Sequence, residues 1–168
     1  MDAEALKALQ APLKEKYRED ATTAIVTLRS QGTIGENVTC SVSTARAMVE
    51  AGLHPATGGT GLHACSGDML LDALVACAGV TLNAVATALQ LDVKRARVKA
   101  EGDLDFRGTL GIDKATPVGF VAIRLRFEVE GDLNEEEKAT LLKLTERYCV
   151  VFQTLKTSPA MDVSLTLT

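Results

Sequence analysis

Residues 71–85 read "LDALVACAGVTLNAV", with a single thiol, Cys77, in the middle of an almost wholly apolar run. The stretch extends to a helix over about 67–90. Ser66 stands where a cap is wanted, and Asp68 and Asp72 sit near the positive end of the helix dipole. Beyond Asp72 the apolar residues Leu74, Val75, Val80, Leu82, Val85 and Leu89 fall on nearly every side, and a helix hydrophobic all round is a buried helix. In a chain of 168 residues, covering it takes a sheet plus a second subunit. Free cysteine is among the most buried residue types. Cys77 is therefore either a small core hydrophobe or a reactive thiol held inside a core helix.

The segments around this helix predict an α+β chain. Residues 2–19 read as a helix, with Leu6, Leu9, Leu13 and Tyr17 at helical spacing and Pro12 as a candidate kink. We take 1–20 as an N-terminal helical extension and 21–168 as the main domain. Residues 21–44 carry β-branched alternation broken by Gly32 and Gly35, which predicts an antiparallel hairpin or meander. Residues 45–64 predict a further strand or short connection and then a glycine-rich loop. After the long helix, 93–106 and 119–131 alternate. In the second, Val121, Ile123, Leu125, Phe127 and Val129 share one face, while Arg124, Arg126, Glu128 and Glu130 share the other, solvated one. Then "DLNEEEKATLLKLTERYCVVFQTL" (132–155) predicts a second long helix, with Asn134 and Glu137 as its capping pair and Ser158-Pro159 as its stop. The tail "MDVSLTLT" (161–168) alternates and closes the sheet. The expected architecture is a largely antiparallel sheet with two long core helices packed on one face.

Composition narrows the function classes. A formal net charge of −4 with no basic block argues against nucleic acid as a partner. No apolar run is expected to reach the length and purity of a membrane span, because Asp72 and Asn83 interrupt the best candidate. The first twenty residues lack the apolar core of a signal peptide, so a cytoplasmic location is the expectation. Four cysteines in a reducing compartment argue against a disulfide framework. None forms C-x-x-C, and the two histidines are not at metal-ligand spacing, so no metal site is expected.

Cys149 lies in the second long helix, in "ERYC" (146–149), so each long helix holds one cysteine. Two helices packed on one sheet touch, which allows an encounter, although a bond needs Cα atoms within about 7 Å. Two core residues that happen to be sulfur remain the alternative.

These motifs resemble the OsmC/Ohr superfamily over residues 21–168. "GDMLLDALVACAGVTL" (67–82) is similar to the family's first-cysteine helix, and "ERYCVVFQTL" (146–155) to its second, in a branch with E-[KR]-Y-C. The resemblance implies the OsmC-like fold and an intertwined homodimer with the first cysteine helix at its centre. It implies a thiol peroxidase for organic hydroperoxides, in which Cys77 attacks the peroxide and Cys149 resolves the sulfenic acid as a Cys77–Cys149 disulfide. An external dithiol, typically lipoyl-linked, regenerates the pair, and no bound cofactor is required.

Such a thiol must be a thiolate, and an apolar helix opposes that. Peroxidase members use an arginine from the N-terminal strands, held by a glutamate ten residues before the cysteine. That position here is Gly67, and the nearest carboxylate is Asp68. On a straight helix a nine-residue step at about 100° per residue points Asp68 away from Cys77. Asp68 serves only if the helix begins after it. Arg29 is the arginine candidate, with Arg46 second. Cys65 is read as a loop cysteine, Cys40 as core, His63 as lining an opening to the site and His54 as exposed. "GGTG" (58–61) lacks the G-K-[ST] ending of a phosphate loop. The gap at Gly67 supports a second hypothesis: a non-catalytic, stress-associated member binding a small apolar ligand in the dimer cleft.

Overall fold

The long apolar run forms helix α1 (Ser66–Ala88), and its inner face explains most of the core. Leu74, Ala78, Leu82, Val85 and Ala86 recur at helical spacing and are buried. In the computed structural model the described residues are 48–167 except Ile112, the strand segments 32–35 and 39–43, and the positions 2–5, 7–8, 10–11 and 19. The described positions from 3 to 11 are helical, and the Asp2 carboxylate caps them by accepting from Ala5 N–H at 2.8 Å. The remainder of the predicted N-terminal helix, with Pro12 and Tyr17, and the boundary at residue 20 lie outside the described residues.

The first sheet contains β1 (Gly32–Gly35), β2 (Thr39–Ser43), β3 (Met48–Gly52) and β4 (Ala64–Cys65), in that order. The first three form the predicted antiparallel meander, with Ile34 opposite Cys40 and Cys40 opposite Ala51. Gly32 and Gly35 bound a strand rather than interrupting one. β4 is parallel to β3 and runs straight into α1.

The second sheet is the pair β5 (Asp92–Asp103) and β6 (Ala122–Asp132), antiparallel along its length. A bulge between Val93 and Arg95 shifts the alternation by one residue. Gly131 belongs to this irregularity, because a Cβ there would lie 1.9 Å from the Asp92 carbonyl oxygen. Ile123, Leu125, Phe127 and Val129 of β6 pack toward the core as expected, whereas Val121 is exposed. The opposite face is a charged ladder, in which Arg124 pairs with Asp103 and Glu101, and Lys99 with Glu128.

The single sheet of the sequence reading is thus two sheets. β4 passes into α1 without a linker, and the helix delivers the chain to a separate hairpin. That hairpin is followed by α3 (Glu135–Tyr148), with a one-turn α2 (Phe106–Thr109) in the connection between its strands. α3 starts with the predicted box: Asn134 Oδ1 accepts from Glu137 N–H, and Glu137 Oε2 accepts from Asn134 N–H, both at 2.9 Å.

Four further expectations change. The second long helix is interrupted at Cys149, whose φ −73° and ψ 106° are extended, and resumes as α4 (Val150–Lys156). The tail forms no strand in the single chain. Met161, Val163, Leu165 and Leu167 are 83–90% exposed, because alternation specifies a strand only where an edge receives it. α1 is not buried all round either: Val80 is 72% exposed, on a face shared with the exposed Ala73 and Ala76. Finally, α1 is long and apolar enough to cross a membrane, with a mean hydropathy of 1.8 over its best stretch. Both aspartates lie in its first two turns, which leaves 73–88 uncharged. Within this fold it packs along β5, α3 and α4.

One buried group stands out. Thr145 of α3 is 1% exposed, and among the described residues its hydroxyl has no hydrogen-bond partner. An unsatisfied buried hydroxyl costs about 1–3 kcal/mol. Thr145→Val keeps the branched shape and removes that cost, so it raises unfolding stability by about 1 kcal/mol, read as an upward shift of the denaturant midpoint. A downward shift would mean that the hydroxyl is satisfied.

Candidate active site

The two long-helix cysteines meet. Cys149 is 0% exposed and packs with Leu74 and Ala78 of α1, and the half-buried Cys77 lies against the same cluster. What brings them into chemical contact is the interruption at Cys149. Its N–H still donates to the Thr145 carbonyl at 3.0 Å, and its own carbonyl accepts from Gln153 N–H at 2.9 Å. The N–H groups of the three residues between, Val150, Val151 and Phe152, are released. In a continuous helix Val150 N–H would go to Glu146 and Val151 N–H to Arg147. Here both are directed at the Cys77 sulfur. The vacated Glu146 carbonyl accepts instead from the Gln153 side-chain amide, at 2.7 Å.

The electrostatics follow from these contacts. Burial pushes the Cys77 thiol up. The Val151 N–H, the Cys149 thiol, the Val150 N–H and the Thr81 hydroxyl oppose that and together hold it below its ordinary value of 9.0. Thr81 is the least of these, since its hydroxyl donates to the Cys77 carbonyl at 2.8 Å. Cys149 moves the other way: burial raises it, and so does the neighbouring Cys77, against lowering contacts from the Phe152 and Val151 N–H groups. One thiol of the pair is therefore set to ionise first and the other to keep its proton. Among the described residues, the donors that lower Cys77 are neutral groups of the chain.

The other predicted residues are placed differently. Asp68 lies inside α1, because the helix begins at Ser66. Nine residues at 1.5 Å rise put it about 13 Å along the axis from Cys77, and on the opposite side. The condition under which it could reach the thiol is not met within this chain. Asp68 instead lines a cavity of about 340 Å³ with Cys65, His54 and Phe120. Arg29 and Arg46 lie outside the described residues, as does the side chain of Cys40.

His54 is half-buried rather than exposed. Its ring stacks on Phe106 at 4.9 Å, and its Nδ1 accepts from Ala56 N–H. His63 faces Glu50 at 3.9 Å. Cys65 ends β4 and leads into α1, beside that same cavity. In "GGTG", Gly58 and Gly61 have φ of 91° and 77°, so the glycines serve turns. Among the described residues no group of three or more His, Cys, Asp or Glu is disposed to hold a metal ion.

Sequence reasoning missed Val150, Val151 and Gln153. Their contributions are two backbone N–H groups and one amide brace, and residue type reports only the last. The nearest signal was the cysteine just after "ERY", set in a helix with a β-branched pair behind it.

Comparison with known proteins identifies the fold and the family. No curated protein matches the sequence. Solved structures do. An OsmC-like protein from Mycoplasma pneumoniae has a TM-score of 0.66 at 17% identity, over 79% of this chain and 89% of that one. An organic hydroperoxide resistance protein OsmC from Legionella pneumophila has a TM-score of 0.62 at 18% identity, over 79% and 91%. An organic hydroperoxide resistance protein from Elizabethkingia anophelis has a TM-score of 0.64 at 16% identity, over 80% and 91%. At such identities the likeness is one of fold. The sequence model of the OsmC-like protein family matches residues 59–164, which span both cysteine helices and the hairpin between them. The chain belongs to the OsmC-like protein family.

Proposed function

We propose that the protein is a thiol-dependent peroxidase that reduces organic hydroperoxides to alcohols. The observation that carries this reading is the Cys77–Cys149 pair with its opposed acidities. The names of two structural relatives, organic hydroperoxide resistance proteins, support it.

In this reading the Cys77 thiolate attacks the terminal peroxide oxygen. The O–O bond breaks, the alkoxide leaves and takes a proton, and Cys77 becomes a sulfenic acid. The Cys149 sulfur then attacks the sulfenic sulfur, an S–S bond forms, and the hydroxyl departs as water with the proton from Cys149. A dithiol, for which a lipoyl-linked one is the candidate, reduces the disulfide by exchange. The steps require no bound cofactor or metal, and regeneration by thiols suits a reducing, cytoplasmic setting.

The working form in this proposal is a homodimer. The open face of α1 around Val80 and the alternating tail from Met161 to Leu167 both present apolar surface that a second subunit would cover. Arg29 is retained as the candidate cation for the site. Asp68, turned away in its own chain, has a role only if the assembly brings it to the thiol pair.

A second reading is a non-catalytic member that binds a small apolar ligand. It is favoured by the position of Asp68 and by an open groove of about 590 Å³ lined by Leu82, Phe127, Val129 and Leu141.

Two measurements separate these readings. First, alkylation of Cys77 tracks its thiolate. A thiol held below 9.0 keeps more thiolate at any pH under that value, so the alkylation rate falls off only as pH drops through the lowered midpoint. The expected profile has its midpoint below 9.0, with Cys149 unreactive across the same range. A midpoint at or above 9.0 removes the basis for attack by Cys77. Second, with cumene hydroperoxide and excess dithiol, Cys77→Ser abolishes peroxide consumption, while Cys149→Ser allows the first turnover and then accumulates sulfinic acid at Cys77 by mass. Undiminished consumption by Cys77→Ser favours the binding protein.

A further inference from the structure

The interruption at Cys149 sets up a contest for one acceptor. The Glu146 carbonyl can take a hydrogen bond from Val150 N–H, which is the continuous helix, or from the Gln153 side chain, which is the bent one. In the structure Gln153 Nε2 holds it at 2.7 Å, seven residues along the chain. The backbone N–H of the same residue holds the Cys149 carbonyl at 2.9 Å. Gln153 thus fastens both sides of the bend, one with its side chain and the other with its main chain. Its side chain is partly buried between the two helical segments, where an unfilled carbonyl would cost about 1–3 kcal/mol. That cost opposes any bend in which the acceptor goes unfilled.

We propose that Gln153 is a positioning residue for Cys77: by occupying the Glu146 carbonyl, it keeps the chain bent at Cys149 and so keeps the Val150 and Val151 N–H groups turned toward the Cys77 sulfur. It touches neither thiol through its side chain, and it acts by deciding where two main-chain donors point. Without the amide, Val150 N–H competes for the vacated carbonyl, the segment relaxes toward a continuous helix, and the donors leave the sulfur. The proposal rests on Cys77 being the reactive thiol, but its test needs no peroxide, so its failure is distinct from failure of the peroxidase reading.

The experiment follows iodoacetamide modification of Cys77 against pH in the full-length protein, with the site assigned by peptide mass. Gln153→Met keeps length and removes the donor, and Gln153→Leu is the second variant should the first not unfold cooperatively. The expected result is an upward shift of the Cys77 midpoint, with modification at pH 7 slowed between about threefold and tenfold, the range of one lost hydrogen bond. Val150→Pro removes one donor directly at a first-turn position that tolerates proline, and in that background the Gln153 substitution has a smaller effect. Two results overturn the proposal: a wild-type midpoint in a cooperatively folded Gln153 variant, or a Gln153 effect undiminished by Val150→Pro.

Discussion

A thiol inside an apolar helix can carry a negative charge only where hydrogen-bond donors reach it, and every donor of a regular helix is already engaged four residues back. In this protein the constraint is met by interrupting a neighbouring helix. The extended backbone of Cys149 frees Val150 and Val151 from their helical acceptors and turns them to Cys77. Much of the site depends on that one residue. It ends α3, caps α4, fills the core between Leu74 and Ala78, and presents the partner sulfur. Neutral main-chain dipoles then do part of what a guanidinium does in the arrangement that the family resemblance implied.

The surroundings serve the same requirement. α1 divides its apolar surface in two. One side packs on the β5–β6 hairpin and on the second helical pair, and the other is left open around Val80. The first side places Cys77 at a fixed height against the bend, because Leu74, Ala78 and Leu82 are one-turn neighbours locked into the core. Cys77 itself is half-buried in the single chain. The tail's alternation is a strand pattern, but among the described residues no edge receives it.

The sequence made much of the fold legible through periodicity. α1, the capping box of α3 and the inward row of β6 were readable because each is written in spacing and residue type. The split into two sheets was less legible, since alternation marks a strand without naming its neighbour. The apparent length of the second helix misled for a related reason. Val150 and Val151 are compatible with a helix, and nothing in their type reports that Cys149 adopts an extended ψ. At the site, both sulfurs were visible as residues, and the resemblance assigned them roles. The donors around Cys77 were not visible, because a main-chain N–H has no letter. For Asp68 the sequence already set the condition that the helix begin after it, and the helix begins at Ser66. Helical geometry sends it to the other side of α1, toward Cys65 and Phe120.

The division of labour between the two thiols follows from these placements rather than from their order in the chain. Both are partly or wholly withdrawn from water, and withdrawal alone would raise both. Each receives two N–H groups, but the Cys149 thiol also acts to lower Cys77, whereas Cys77 acts to raise Cys149 and burial weighs most on it. Each step of ionisation also feeds back. A charge on Cys77 makes a second charge beside it costly, so Cys149 holds its proton while Cys77 is a thiolate. In the proposed reaction, oxidation of Cys77 removes that charge and with it one of the causes, beside burial, that hold the Cys149 thiol above its ordinary value. In the proposed reaction a resolving thiol has to be silent before the first step and available after it, and a buried sulfur paired with an ionisable one meets both demands.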